Sequence, residues 1–130
     1  MISGMDDYVR YRLSKAEEAL EDADLLARNG SWNACINRLY YACFYAVAAL
    51  LVKNQLNAQT HSGQKSLLNL HFIKSGKIQK EYGQLYSDLM DWRQKGDYGD
   101  MFDFTKDDIE PLLGPVSDFV NSVKVLIKAK

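Results

Sequence analysis

The stretch from Leu39 to Val52, LYYACFYAVAALLV, decides the fold. Its 14 residues carry no charge and include three tyrosines. A membrane-spanning helix needs about 20 apolar residues, so this reads as a buried segment and no membrane anchor is expected. With its flanks it predicts a helix over Trp32–Lys53. On a helical wheel with Arg38 at zero, Ile36, Leu39, Tyr40, Cys43, Val47 and Leu50 gather on the far side, which is the core face. Tyr41, Ala42, Tyr45, Ala49 and Val52 return to the side of Arg38. A helix apolar all round must be covered all round. Either a second copy of the chain lies on the Arg38 face, or the helix is central within one bundle. A two-fold homodimer is the expectation, since a bundle this small has trouble covering both faces.

Outward from this helix the chain keeps the same character. Only two prolines occur, Pro111 and Pro115, and strand-like alternation is absent. Val9, Leu13, Ala16, Leu20, Ala23 and Ala27 predict a first helix over about Asp6–Arg28, with Ser14 and Glu17 as a possible later capping box. Asn29-Gly30 is a helix stop, and Ser31 is placed to cap the second helix. A third helix starts near Thr60 or Ser62 and ends at Ser75-Gly76. A fourth runs about Ile78–Gln94, with Ile78, Tyr82, Leu85, Leu89 and Trp92 on its stripe, and Gly96 ends it. The connection Gly96–Phe104, GDYGDMFDF, reads as a structured loop. Thr105 and Asp108 suit the cap of a final helix, kinked or restarted at Pro111, with its main body over Pro115–Ile127. Short connections favour antiparallel neighbours, so the fold class is all-α, an up-down helical bundle of about five helices.

At 130 residues the chain is one domain's worth, residues 1–130. The net charge is -1 and the pI about 6.1, against a strongly basic nucleic-acid binder but not against a local basic patch. Cys35 and Cys43 lie about 12 Å apart on one helix, too far for a disulfide, and read as buried thiols. No cofactor motif and no metal-ligand spacing is present; GQK at Gly63–Lys65 lacks the glycine and GK[ST] spacing of a phosphate loop. The acidic run Glu17, Glu18, Glu21, Asp22 and Asp24 reads as a solvated face. Met1–Arg10 lacks the basic and then apolar run of a signal peptide, so a cytoplasmic location is expected.

Arg38 and Tyr45 are two helical turns apart and point along one line, with Tyr41 on it and Asn37 beside it. A cation among tyrosines can bind phosphate or carboxylate, or can pair with an acid of a neighbouring helix.

At these residues the chain resembles the HEPN-domain family. The matches are NRLYYACFYAVAALL (Asn37–Leu51), THSG (Thr60–Gly63), HFIKSGKI (His71–Ile78), LMDWRQKGDY (Leu89–Tyr98) and FDFT (Phe102–Thr105), in the family's order. The resemblance implies a HEPN-like all-α bundle, usually dimeric, often encoded beside a minimal nucleotidyltransferase and in some cases part of a toxin–antitoxin pair. Many members are metal-independent ribonucleases whose signature is an arginine followed, after four to six residues, by a histidine. Arg38 matches the arginine. The histidine is replaced: position 43 is Cys, 44 is Phe, and Tyr45 stands at the longest spacing. Histidine titrates near pH 6.5, whereas free tyrosine has a pKa of about 10 and is a poor base at pH 7.

Tyr45 or, through folding, His61 at the start of the third helix are the candidate partners of Arg38 in catalysis. Asn37, Arg38, Tyr41, Asp97 and Tyr98 are the candidate ligand-binding residues. Arg93 also matches the family pattern, and Asp97 can pair with Arg93 or Arg38, or line the cleft. His71 reads as a surface residue. Three functions are open: a dimeric module binding RNA or nucleotide phosphate near Arg38 and a nucleotidyltransferase partner; a ribonuclease; or a purely structural dimer.

Overall fold

The computed structural model describes residues 4–99 and 101–129, so Asp100 of the loop lies outside the described residues. Among these the chain is helical with no strand: α1 (Gly4–Asn29), α2 (Trp32–Lys53), α3 (His61–Leu68), α4 (Lys80–Tyr98), the short α5 (Lys106–Ile109) and α6 (Leu113–Lys128). The all-α bundle is as expected. Gly30 takes a φ of 76°, which stops α1 and turns the chain straight into α2. Cys35 of α2 then meets Ala23 of α1, and Tyr45 meets Arg12. Numbers rise on one helix as they fall on the other, so the two are antiparallel. The same holds for α2 and α4, where Ile36 faces Gly96 and Tyr40 faces Arg93 and Tyr86.

The core runs along α2, which is the central helix. Cys35, Ile36, Leu39, Tyr40, Cys43, Val47 and Leu50 are buried as the wheel predicts. Ala42 and Ala49 of the opposite face are also fully buried, by the chain's own helices. One chain therefore covers most of the face that the sequence assigns to a twin subunit, because α1 packs along α2 over its whole length. Arg38, Tyr41, Tyr45 and Val52 stay half-buried there, as does Phe44 beside them. Trp32–Lys53 is long and apolar enough to cross a membrane by composition, yet two thirds of that apolar window is buried inside the bundle. The stripe of α6 (Val116, Phe119, Val120, Val123, Ile127) is buried throughout. Lys124 of α6 bridges Glu17 of α1, so one residue of the acidic run ties two helices together.

Several boundaries differ from the expectations. Ser31 precedes α2 without capping it; its hydroxyl accepts from the Asn29 amide instead. Ser14 and Glu17 lie inside α1. Thr60 does cap α3, accepting from Gly63 N–H at 2.9 Å, and the Thr105–Asp108 box starts α5. α3 continues as a π-helical turn, Asn69–Ile73, before Gly76 stops it. Pro111 falls in a 3-10 turn, Glu110–Leu112, and α6 restarts at Leu113.

The difference that matters most is at Gly96. It does not end α4, which runs on to Tyr98. A Cβ at Gly96 would come within 3.2 Å of the Phe104 ring and 3.4 Å of Ile36. Glycine is there to let the following loop close onto the helix. Asn33 holds that loop: its amide donates to Phe102 O at 3.1 Å and accepts from Phe104 N–H at 2.8 Å. Asp97 thus sits on a helix beside α2 rather than in the loop.

Candidate functional site

The half-buried Arg38 donates from Nε to Asn37 Oδ1 (3.1 Å), and Asn37 Nδ2 donates to Asp97 Oδ2 (3.0 Å). The Arg38 guanidinium carbon lies 5.3 Å from the Tyr41 ring centre. Arg38 forms no ion pair among the described residues. Asp97 is taken instead by Arg93, one turn earlier on α4, at 3.6 Å.

Arg93, which also matches the family pattern, takes the pairing with Asp97 that the sequence allows. It is buried, 8% exposed, with its guanidinium 5.1 Å from the Tyr40 ring and 5.6 Å from the Tyr41 ring. Its Nε has no hydrogen-bond partner among the described residues. A buried cation paired only at 3.6 Å is under-compensated, since burying charge costs several kcal/mol unless partners are close. The buried stripe of α4 is Gly83, Tyr86, Leu89 and Arg93, rotated from the predicted one.

His61 reaches the same cluster from α3. Its ring stacks on Phe44 at 4.5 Å and lies 6.0 Å edge-on from Tyr41. Tyr40 Oη is 2.7 Å from His61 Nδ1. Burial, and then the Arg93 charge, hold the His61 pKa below its ordinary 6.5. Burial pushes the Tyr40 hydroxyl up to about 12, so it remains a donor at neutral pH. The two thiols are inert by the same physics: burial raises Cys35 to about 11 and Cys43 further.

The family model of the HEPN domain matches residues 9–126. The chain belongs to the HEPN family. It is 35% identical to the "UPF0332 protein" of Thermotoga maritima over 92% of this chain and 91% of that one. It is 30% identical to "Putative toxin MJ0142" of Methanocaldococcus jannaschii over 91% and 80%, and 31% identical to "Putative toxin MJ0605" of the same organism over 87% and 84%.

Within this HEPN bundle the candidate residues separate. Asn37, Arg38, Tyr41 and Asp97 come together at one edge of α2, and His61 meets that edge at Tyr41. Tyr45 lies further along, 5.7 Å from Tyr41, with the Arg12 guanidinium of α1 5.6 Å away. Tyr98 is 76% exposed and is not brought to the cluster. His71 is exposed. Among the described residues no three His, Cys, Asp or Glu side chains form a metal-sized group. The spacing of α2 assigns Tyr40 to the core, and no sequence pattern marks Phe44 or Gln64. One signal was available for Arg93: it stands in helical register with Leu89 and Tyr86, on the apolar stripe.

Proposed function

We propose that this HEPN chain is a toxin-type binding module that takes the phosphate of an RNA or nucleotide at the Arg38 edge of α2. One observation carries the reading: the carboxylate beside Arg38, Asp97, pairs with Arg93 and reaches Arg38 only through the Asn37 amide, so that Arg38 has no carboxylate of its own among the described residues. A phosphate oxygen supplies the missing counter-charge, and guanidinium groups match it in geometry. Tyr41, Phe44 and Tyr45 are only half-buried in the single chain and supply the rim of a contact with a second copy, which supports a homodimer. A minimal nucleotidyltransferase partner and a cytoplasmic location complete the proposal, as does the toxin-type role that the relatives' names supply.

A ribonuclease is the second reading, and His61 is the observation that favours it. Its imidazole lies 6.0 Å from the Tyr41 ring, against which Arg38 also packs, whereas α2 itself has no histidine. The chemistry is better placed on Arg38 with His61 than with Tyr45, whose cationic neighbour is Arg12.

Fluorescence anisotropy with a labelled single-stranded RNA tests the module. Charge-assisted hydrogen bonds contribute about 1.5–3 kcal/mol, so Arg38→Ala weakens binding about tenfold or more. Binding unchanged in Arg38→Ala rejects the site. RNA products that vanish in both Arg38→Ala and His61→Gln favour the nuclease over the binding module. Light scattering reads the dimer as about twice 14.8 kDa.

A further inference from the structure

The hydrogen bonds behind His61 have a direction, and one atom sets it. Gln64 Nε2 lies 2.9 Å from the Phe44 backbone carbonyl. A carbonyl only accepts, so this end of the Gln64 amide is the NH2 group. The same nitrogen lies 2.9 Å from Tyr86 Oη, so Tyr86 accepts there as well. The Tyr86 hydroxyl in turn interacts with that of Tyr40, whose ring centre lies 5.9 Å away, and both side chains are fully buried. With its oxygen receiving Gln64, Tyr86 turns its proton to Tyr40. Tyr40 then turns its own proton to His61 Nδ1, 2.7 Å away.

We propose that this relay, anchored on the Phe44 carbonyl, holds His61 as the neutral Nε2–H tautomer, so that His61 meets a phosphodiester oxygen as a hydrogen-bond donor and not as a proton acceptor. Protonating Nδ1 would reverse the chain. Tyr40 would have to receive from His61 and give to Tyr86, leaving the Tyr86 O–H aimed at an NH2 group that cannot accept. The other groups facing His61 act in the same direction or are neutral: Arg93 of α4 repels a second positive charge, and Tyr40, Tyr41 and Phe44 of α2 bring none. The carboxylate of the cluster, Asp97, is engaged by Asn37 and Arg93. Nε2 has no partner among the described residues, which leaves its N–H for a ligand. Tyr40, Tyr86 and Gln64 are positioning residues here. The donor role rests on the phosphate-binding reading; the tautomer does not.

The two halves are separable by experiment. Long-range 1H–15N spectra of the ligand-free protein read the tautomer of each of its two histidines, with His71→Gln assigning them. The expected result is Nε2–H on His61 and a titration midpoint below about 6.5. Tyr40→Phe removes the donor to Nδ1, so the midpoint rises and Nδ1–H appears. An Nδ1–H tautomer in the wild-type protein, or a midpoint at or above about 6.5, overturns the relay whether or not the variant folds. Anisotropy with a short 2′-O-methyl oligoribonucleotide, which lacks the nucleophile for self-cleavage, reads the donor role. A neutral donor gives an affinity that stays within about twofold as the pH rises from the His61 midpoint to 8 at fixed salt. Affinity that falls as His61 loses its proton shows an imidazolium contact and overturns the donor role alone. No binding at any pH overturns both the donor role and the phosphate-binding reading, while the spectra still judge the relay.

Discussion

Tyr41 divides the exposed edge of α2 into two unlike halves. Toward α3 and α4 lie Tyr40, Arg93, His61 and Gln64, mostly buried and joined by directional hydrogen bonds. Toward α1 lie Tyr45, Arg12, Tyr8 and Tyr11, with Tyr11 57% exposed and Arg12 donating to Tyr8 Oη at 2.9 Å. Both halves mix arginine with tyrosine, so composition does not tell them apart. Burial does. A hydrogen bond in the dry half has no water to replace it, whereas one in the wet half does. The dry half can therefore hold a side chain in one protonation state, and the wet half can hold only a weak preference of rotamer.

The largest expected contrast concerns the floor of the dry half. Phe119 of α6 packs against Tyr82 at 5.4 Å and Tyr86 at 6.2 Å. Phe119→Ala should cost about 3–5 kcal/mol, the usual range for emptying a buried aromatic site. Tyr8→Ala, on the wet side, should stay within about 0.5 kcal/mol. Urea unfolding measures both. Equal losses would erase the distinction between the halves.

Removing one hydroxyl is a sharper cut. Tyr86→Phe keeps the ring but leaves a Gln64 N–H without its acceptor and takes from Tyr40 the neighbour that directs its proton to His61. The expected loss is about 1–3 kcal/mol. Tyr45→Phe, at a half-exposed position whose hydroxyl has no hydrogen bond among the described residues, should lie within about 0.5 kcal/mol. Should Tyr86→Phe prove neutral, the relay is not under tension and water must reach it.

A third contrast separates binding from folding. Arg38→Ala should change unfolding free energy by no more than about 0.5 kcal/mol, because Arg38 is half-exposed and holds no ion pair. It should nevertheless weaken RNA binding about tenfold, or about 1.4 kcal/mol. Arg12→Ala should leave RNA binding within about twofold. Equal binding losses at Arg12 and Arg38 would extend the site across the whole edge and remove the division at Tyr41.

The bundle was legible because helical periodicity depends on local residue order. The α6 stripe and the core face of α2 follow from spacing alone. The coverage of Ala42 and Ala49 was not, since it depends on how closely α1 lies on α2, and small residues allow contact with either a second copy or the chain itself. Gly96 misled for a related reason. Glycine reads locally as a helix stop, but its need here is to admit Phe104 from further down the chain. The site was half legible. Arg38, Asn37 and Tyr41 share one helix face and were found. The contact between His61 and Phe44 joins two helices through a turn, and no periodicity connects them. The direction of the relay depends on the Gln64 amide facing a backbone carbonyl, which no residue pattern encodes.

The smallest expected effect is a pH dependence of stability that only the dry half should carry. His61 has a folded pKa below its unfolded value of about 6.5, for reasons of burial first and Arg93 second. Between those two values the unfolded chain binds more protons than the folded one, so stability rises with pH across that window. Read downward, stability is full above about 6.5 and is lost as the pH falls through the folded value. The urea midpoint should therefore drop between pH 7.5 and 5.5, and His61→Gln should remove part of that drop. His71 is exposed and common to both proteins, and carboxylates titrate mainly below this range, near pH 4. The difference between the two proteins then isolates His61. If His61→Gln steepens the drop, the imidazole is stabilised as a cation in the fold, and the two halves of the edge would no longer differ in the protonation state they impose.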